Sequence, residues 1–294
     1  MGLPSQALSL GVIRTLVAMA AARFDDLSRP PLDAAALARA LQAPAGPWRE
    51  VRVVEVTGST NADLVAAAKA GEPSGLVLVA EHQDQGRGRL DRTWISPPRA
   101  GLTFSVLWRP LVDPVRWGWL SPLVALAVAE AVSATAMVDV RLKWPNDLLV
   151  EERKLAGVLA ERVDEAVVVG VGLNVSLHAD ELVGPVATSL VIEDAACTDR
   201  DPLLRAALRR VAERYADWTA EDGDPTELRE ALLERSATVG QHVQVLLPGG
   251  RTVLGTATDI DGEGRLVVTT EDGVQTVAAG DVVHLRTPGP GTGP

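Results

Sequence analysis

Cysteine and histidine are scarce in this 294-residue sequence, which contains only Cys197 and four histidines. A single cysteine excludes an intramolecular disulfide, and the few cysteines and histidines do not have the spacing of a zinc site. Proteins without disulfides are typical of reducing compartments. We therefore expect a cytoplasmic protein that has neither a disulfide framework nor a structural zinc.

Positive charge is also in deficit. The sequence has 28 lysines and arginines against 39 aspartates and glutamates, which gives a net charge of -11 and a pI near 4.9. Nonspecific affinity for nucleic acids and for anionic membranes is built from clusters of basic side chains. The composition therefore predicts no nucleic-acid partner and no membrane partner, and any local basic cluster is expected to bind a small ligand.

Long hydrophobic runs are almost absent. One such run, residues 8–22, could be mistaken for a signal or membrane segment, but it is interrupted by Arg14 and has no positive charge before it. Residues 1–46 are predicted to form a helical or partly disordered extension with one short helix within residues 30–41, capped by Asp33. One helix is too little for a helix-turn-helix DNA-binding domain.

The most informative segment is residues 83–94, QDQGRGRLDRTW, here called the arginine-glycine turn. Arginine presents a planar fork of donors that matches carboxylate and phosphate oxygens, and glycine lets backbone N–H groups approach those oxygens. The turn lies in a connection of about 17 residues between two predicted strands, which is longer than usual. These features predict an anion site beneath a binding lid, to which Trp94 contributes an apolar side chain.

Other polar residues and glycines interrupt predicted strands further along the chain. Ser59, Thr60 and Asn61 stand at a strand-to-helix junction, and the later candidates are Lys143, Asp147, Lys154, Gly157, Gly170, Gly172 and Asn174. Glycine within a strand often marks a backbone that another group approaches closely. Singly, these residues also have structural explanations, such as a turn at Asp147 after Pro145. The GRGRLD segment lacks the third glycine and the following helix of a dinucleotide fingerprint.

Four segments in this order, GRGRLDRTWISP, KWPNDLLV, KLAGVLAE and VGVGLN, resemble the signature blocks of bacterial biotin protein ligases. The similarity runs from about residue 49 to residue 286 and includes GSTNADL, ATSL and a C-terminal segment containing GDVVHLR. One position departs from the family, because Asp91 stands where a glycine is usual. An acidic group there is expected either to pair with Arg92 or to weaken retention of an acyl-adenylate.

The resemblance implies an enzyme that attaches biotin to a lysine of a biotin carboxyl carrier protein domain. ATP, biotin and Mg²⁺ are the implied cofactors, and biotinyl-5'-AMP is the implied intermediate. Such a ligase needs no covalent enzyme intermediate, which agrees with the lack of a Ser/His/Asp or Cys/His arrangement. A lipoate protein ligase and a biotin-responsive transcriptional repressor are the alternatives. A monomer or weak homodimer is expected.

The implied fold is α/β, with a mixed-sheet catalytic domain resembling class II aminoacyl-tRNA synthetases and a small all-β barrel after it. The expected boundaries are residues 47–237 for the catalytic domain, 238–286 for the barrel and 287–294 for a disordered tail. On a helix predicted over residues 203–218, Arg209, Arg210 and Arg214 are expected to form a solvated face.

The resemblance also implies roles for individual residues. The implied catalytic residues are Lys154, Arg89 and Asp147. The implied contacts to biotin come from Ser59, Thr60, Asn61, Gln83, Gly86, Arg87, Arg89, Lys154, Gly157, Leu159 and Gly170. The implied contacts to ATP or the adenylate come from Arg87, Gly88, Arg89, Arg92, Trp94, Lys143, Asn146, Gly172 and Asn174. Asp147 is expected either to position magnesium or to orient the incoming amine, and the sequence does not identify the metal ligands.

Overall fold

The computed structural model describes residues 29–90, 92–184 and 186–285. The apolar segment 8–22, the departure at Asp91 and the predicted tail 287–294 lie outside the described residues. Of the predicted extension, only residues 29–46 are described.

A seven-stranded mixed sheet forms the centre of the larger domain. Its strands are β1 (Glu50–Thr57), β2 (Leu76–Gln83), β3 (Gly101–Trp108), β4 (Val140–Lys143), β5 (Asp147–Val150), β6 (Arg153–Val163) and β7 (Ala166–Asn174). Their order is β1-β2-β3-β7-β6-β5-β4, in which β1 and β2 are parallel and the other neighbours are antiparallel. Strands β3 and β7 are buried along their whole length. Their mostly apolar sequences are typical of strands covered on both faces.

Five helices are described around this sheet. They are α1 (Ala34–Leu41), α2 (Thr60–Lys69), α3 (Leu120–Ala136), α4 (Arg200–Ala220) and α5 (Thr226–Glu234). Helix α2 packs against one face of the sheet, and α3 packs against the other. Helix α3 and the 3₁₀ turn before it are long and apolar enough to cross a membrane, but 67% of that stretch is buried in the protein. A helix that is hydrophobic on all sides fits such a core position.

The N-terminal part of the described chain is tied to the catalytic domain rather than separate from it. Leu37 and Leu41 of α1 are fully buried in the main core. Arg29 forms a buried ion pair with Glu181 at 2.6 Å, and the Arg200 guanidinium donates to Pro30 O at 2.6 Å. Buried polar groups persist only where they find partners, so these contacts hold residues 29–41 against the sheet.

Helices α3 and α4 are joined by charge as well as by apolar contact. Glu130 of α3 accepts hydrogen bonds from Arg210 at 2.6 Å and from Arg214 at 3.2 Å. The expectation of a solvated arginine face was therefore wrong for these two residues. Helical periodicity placed them opposite the apolar stripe of α4, but it could not reveal that Glu130 of the neighbouring helix would face them.

The C-terminal domain is a five-stranded antiparallel sheet. Its strands are β8 (His242–Leu246), β9 (Thr252–Ile260), β10 (Leu266–Thr270), β11 (Gly273–Val277) and β12 (Asp281–His284), in the order β11-β10-β9-β8-β12. Trp119 Nε1 donates to Gly262 O at 2.9 Å, and Trp144 Nε1 donates to Gly264 O at 3.1 Å. The two domains also share one hydrophobic core. The C-terminal sheet is therefore held beside the edge of the catalytic sheet that carries β4 and β5.

Candidate active site

A cavity of about 330 Å³ opens between the arginine-glycine turn, the catalytic sheet and the C-terminal domain. Every predicted site residue except Gly86 and Asn174 lines it. The predicted residues come from segments that are distant in sequence, and the sheet order brings them together because β2, β6, β7 and the β4–β5 turn face the same space. The roles of the individual residues stay predictions.

One end of the cavity, here called the sheet end, consists of Ser59, Thr60, Asn61, Gln83 and Gly170. Ser59 caps helix α2, and its hydroxyl accepts a hydrogen bond from Ala62 N at 3.4 Å. The Thr60 N–H donates to Gln83 Oε1 at 2.8 Å. The polar side chains of this end are uncharged and already have hydrogen-bond partners within the fold, so they are preorganised for a neutral polar ligand group.

The floor of the cavity is made possible by glycine in strands β6 and β7. A Cβ on Gly172 would lie 2.3 Å from the Trp94 ring, and a Cβ on Gly157 would lie 3.6 Å from it. Only glycine at position 172 lets the indole lie so close to the strand. The Lys154 Nζ lies 5.9 Å from the centre of the Trp94 ring, where a cation is attracted to the ring face.

The opposite end, here called the charged end, consists of Arg87, Arg89, Arg92, Lys143, Asp147, Lys154 and Asp281. Lys154 Nζ lies 2.6 Å from Asp147 Oδ1, and Arg87 Nη1 lies 3.7 Å from Glu161 Oε1. Arg92 forms an ion pair with Asp281 of the C-terminal domain. Three arginines and two lysines converge here, and carboxylates partly neutralise them.

Arg89 differs from the other two arginines of the turn. Among the described residues it forms no ion pair, and its Nη1 donates only to Asn146 Oδ1 at 3.3 Å. Burial lowers the pKa of Arg89, although a guanidinium remains charged at all physiological pH values. Burial also lowers the pKa of Lys143, and the nearby Asp147 carboxylate opposes that shift. Cations that have lost hydration gain more from an anionic ligand than exposed ones do.

Two predicted residues lie outside the cavity lining. Asn174, at the end of β7, is buried, and its side chain donates to Thr188 O at 2.9 Å. Gly86 packs under the turn, where a Cβ would lie 2.3 Å from Trp94 O. Both positions support cavity walls in the present arrangement, and their predicted ligand contacts stay predictions.

The C-terminal domain supplies lining residues that the sequence did not predict. Asp281, Val282, Val283 and Leu246 all face the cavity. Asp281 belongs to the GDVVHLR segment, but Arg92 is 189 positions away in the sequence. The only available signal was the resemblance of that segment to a C-terminal domain, which carries no information about which strand faces the site.

Two sequence families match the chain. Residues 53–177 match the biotin/lipoate A/B protein ligase family, and residues 238–285 match the biotin protein ligase C-terminal domain. These intervals coincide with most of the catalytic sheet and with the five-stranded C-terminal sheet. Both parts of the cavity wall therefore lie in family-matched regions.

Curated relatives cover most of the chain. A biotin--[acetyl-CoA-carboxylase] ligase of Mycobacterium tuberculosis is 45% identical over 266 residues, which are 89% of this chain and 98% of the relative. The bifunctional ligase/repressor BirA of Escherichia coli is 30% identical over 80% of this chain and 74% of its own length.

Solved structures show the same fold. A biotin protein ligase of Aquifex aeolicus in complex with biotin and ATP has a TM-score of 0.68 at 26% identity, covering 82% of this chain and 100% of that chain. The biotin protein ligase of Leishmania major in complex with biotinyl-5-AMP has a TM-score of 0.57 at 25% identity, covering 79% of this chain and 99% of that chain. This fold, the matched regions and the extent of the similarity to the relatives agree: the chain belongs to the biotin protein ligases of the biotin/lipoate A/B protein ligase family.

Proposed function

We propose that this ligase uses ATP to attach biotin to a specific lysine of a biotin carboxyl carrier protein domain, through biotinyl-5'-AMP. The observation that carries the proposal is a single cavity with a neutral hydrogen-bonding end and a cationic end. Biotin has a neutral ureido ring and an anionic carboxylate, so its two ends match the two ends of the cavity. The Aquifex aeolicus neighbour was solved with biotin and ATP, which supports both ligands.

In the first half-reaction, a carboxylate oxygen of biotin attacks the α-phosphorus of ATP. A new bond forms between the carboxylate oxygen and the α-phosphorus. The bond between the α-phosphorus and the oxygen that bridges it to the β-phosphorus breaks, and pyrophosphate leaves. Both reactants are anions, so the site must offset their repulsion. Lys154 is the residue best suited to the shared charge, because its compact ammonium lies beside Asp147 at the charged end and close to Gly157 of the cavity floor. Arg87 and Arg89 would hold the carboxylate and the phosphate.

Mg²⁺ would reach the site on the phosphates of ATP. Among residues 29–90, 92–184 and 186–285, no group of three or more histidine, cysteine or acidic side chains is arranged to hold a metal ion. Mg²⁺ commonly keeps several waters and binds through one or two carboxylates plus substrate phosphates. Asp147 would supply such a carboxylate or, instead, orient the incoming amine.

In the second half-reaction, the carrier lysine amine attacks the acyl carbon of biotinyl-5'-AMP. An amide bond forms, the bond between the acyl carbon and the phosphate oxygen breaks, AMP leaves and the amine gives up a proton. Water would destroy the anhydride before transfer, so the intermediate needs cover. Trp94 lies over the glycine floor at the centre of the cavity and would supply that cover.

The proposal is tested by incubating the purified chain with biotin, ATP, Mg²⁺ and a purified carrier domain. We expect a mass increase of one biotin on the carrier, and no increase on a carrier whose acceptor lysine is replaced by arginine. A parallel reaction with lipoate separates the enzymatic alternative, since transfer of lipoate alone would contradict the proposal. A salt-dependent shift of operator DNA by the pure protein would reveal a repressor activity.

A further inference from the structure

Behind the sheet end, a buried serine connects two cavity residues. Ser105 lies on β3 and is 0% exposed. Its Oγ is 2.6 Å from Asn61 Oδ1 and 2.7 Å from Thr60 Oγ1. Ser105 does not line the cavity itself, and no ligand role was predicted for it. Its single hydroxyl hydrogen cannot serve both oxygens.

The orientation of Asn61 decides which oxygen receives that hydrogen. Asn61 Nδ2 donates to Leu159 O at 3.1 Å and to Glu161 Oε2 at 2.8 Å, so both amide hydrogens are used on one side. Its Oδ1 therefore faces Ser105, and a carbonyl oxygen can only accept. Gly170 makes this close placement feasible, because a Cβ there would lie 2.0 Å from Asn61 Oδ1. The Ser105 hydrogen consequently goes to Asn61.

This assignment fixes the polarity of Thr60. With its own hydrogen used, Ser105 can only accept across the 2.7 Å contact, so the Thr60 hydroxyl must donate to it. The Thr60 hydroxyl also lies 3.0 Å from Gln83 Oε1, but that oxygen already accepts the Thr60 N–H at 2.8 Å. Donation to Gln83 would also leave the Ser105 and Thr60 oxygens 2.7 Å apart with no hydrogen between them, so the Thr60 hydrogen goes to Ser105. The Thr60 hydrogen then points away from the cavity, and the remaining lone pair of Thr60 Oγ1 is presented to a ligand.

We propose that Ser105, acting through Asn61 and Thr60, is a positioning residue that makes the sheet end select a ring carrying an N–H donor. The inference rests on the proposed function and deepens it. A ureido ring offers N–H groups to an inward-facing lone pair, whereas the dithiolane ring of lipoate has no donor to offer. Ser105 would thus contribute to the choice of biotin over lipoate without touching either.

The test compares Ser105→Ala with Ser189→Ala. Ser189 is also 0% exposed, and its hydroxyl donates to Leu177 O at 2.6 Å, away from the cavity. In biotin-dependent pyrophosphate exchange, Ser105→Ala should raise the KM for biotin about 3- to 10-fold, the effect of one neutral hydrogen bond. Its kcat and its KM for ATP should change by less than about twofold, a spread within ordinary context dependence. Ser189→Ala should leave all three near wild type.

A double-mutant cycle with Thr60→Val distinguishes positioning from a general loss of structure. Valine keeps the volume of threonine but lacks the hydroxyl, so it should raise the KM for biotin by itself. If Ser105 acts through that hydroxyl, adding Ser105→Ala to Thr60→Val should raise the KM no further. Independent, multiplying effects of the two substitutions would overturn the inference, as would an equal fall in kcat for Ser105→Ala.

Calorimetric binding of biotin and of desthiobiotin, without ATP, separates this inference from the proposed reaction. Desthiobiotin keeps the ureido ring, so Ser105→Ala should weaken both ligands by the same factor. If wild type binds biotin but modifies no carrier, the proposed function fails while the Ser105 comparison stands. If wild type binds neither ligand, or if Ser105→Ala binds both as tightly as wild type does, the selectivity inference is wrong.

Discussion

The two ends of the cavity are built by different means. At the sheet end, Ser59, Thr60 and Asn61 are each less than 5% exposed, and Thr60 and Asn61 hydrogen-bond to side chains of the neighbouring strands β2 and β3. At the charged end, the side chains of Arg87 and Arg92 are 54% and 62% exposed, and each faces a carboxylate. The sheet end is a buried, hydrogen-bonded part of the fold, whereas the charged end combines arginines of an exposed loop with charged side chains from strands β4, β5, β6 and β12.

The difference follows from what each kind of group costs to bury. Neutral hydroxyl and amide groups can be buried in advance when they satisfy one another, because no net charge loses hydration. Cations lose hydration on burial, so Arg87 and Arg92 stay exposed and face acids, and burial lowers the pKa of Arg89 and of Lys143. Glu161 connects the two ends, since it accepts from Asn61 and lies near Arg87. We therefore expect the sheet end to set ligand identity and the charged end to set catalysis and retention.

The largest effect is expected at Lys154. Lys154→Ala removes the ammonium beside Asp147 and should lower the rate of pyrophosphate exchange about 10²- to 10³-fold, the usual cost of losing one stabilising group at a developing charge. Lys69→Ala, at the exposed end of α2, is the matched control. Circular dichroism should show both variants folded. Near-normal exchange by Lys154→Ala would remove this residue from the mechanism.

Arg89→Gly should affect retention more than formation of the adenylate. Arg89 forms no ion pair among the described residues, so its guanidinium is the most available of the turn's three for a phosphate. Losing one charge-assisted contact, worth about 1.5 to 3 kcal/mol, should speed release of biotinyl-5'-AMP by about 10- to 150-fold. The measurement is biotin labelling of bystander albumin. The control is Arg251→Gly, which removes an exposed arginine between β8 and β9 that does not line the cavity. Labelling confined to the carrier would show that Arg89 is not the retaining clamp.

Lys143→Met is expected to weaken ATP binding while it stabilises the folded protein. Burial disfavours the ammonium, so methionine should raise Tm by about 1 to 2 °C at neutral pH while raising the KM for ATP about 10-fold. The pKa of Lys143 is lower in the folded protein than in the unfolded chain, where it is about 10.4. The charged side chain therefore destabilises the fold below the folded pKa, and this destabilisation disappears as the pH rises from the folded pKa to the unfolded one. The Tm difference between variant and wild type should shrink over that range. A lower Tm for the variant at pH 7 would contradict this account.

At both ends of the cavity the sequence predicted the lining residues better than it predicted their hydrogen-bond and ion-pair partners. Ser59, Thr60 and Asn61 stand at a strand-to-helix junction, where cap chemistry identifies them, and the glycines of β6 and β7 signalled a close approach. The three arginines of the arginine-glycine turn were visible in the sequence and predicted an anion site. The partners of these groups were not predictable, because Ser105 is an ordinary residue in an apolar strand and Asp281 is an ordinary residue in a distant domain. Periodicity reports which face a residue occupies, not which distant residue it meets.

The smallest effect is expected for substitution of Asp281, which tests whether the charged end is preorganised for ATP. Arg92 is largely exposed, so its pair with Asp281 adds little stability, but Asp281 places a negative charge where ATP phosphates would bind. Asp281→Asn should free Arg92 and lower the KM for ATP about 2- to 5-fold, equivalent to about 0.5 to 1 kcal/mol. The gain should fade at high salt because exposed charges are screened. Asp259→Asn breaks a comparable pair with Arg229 away from the cavity and should leave the KM unchanged. A higher KM for Asp281→Asn would mean that Asp281 orients Arg92 toward the nucleotide instead of competing with it, and the charged end would then be as preorganised as the sheet end.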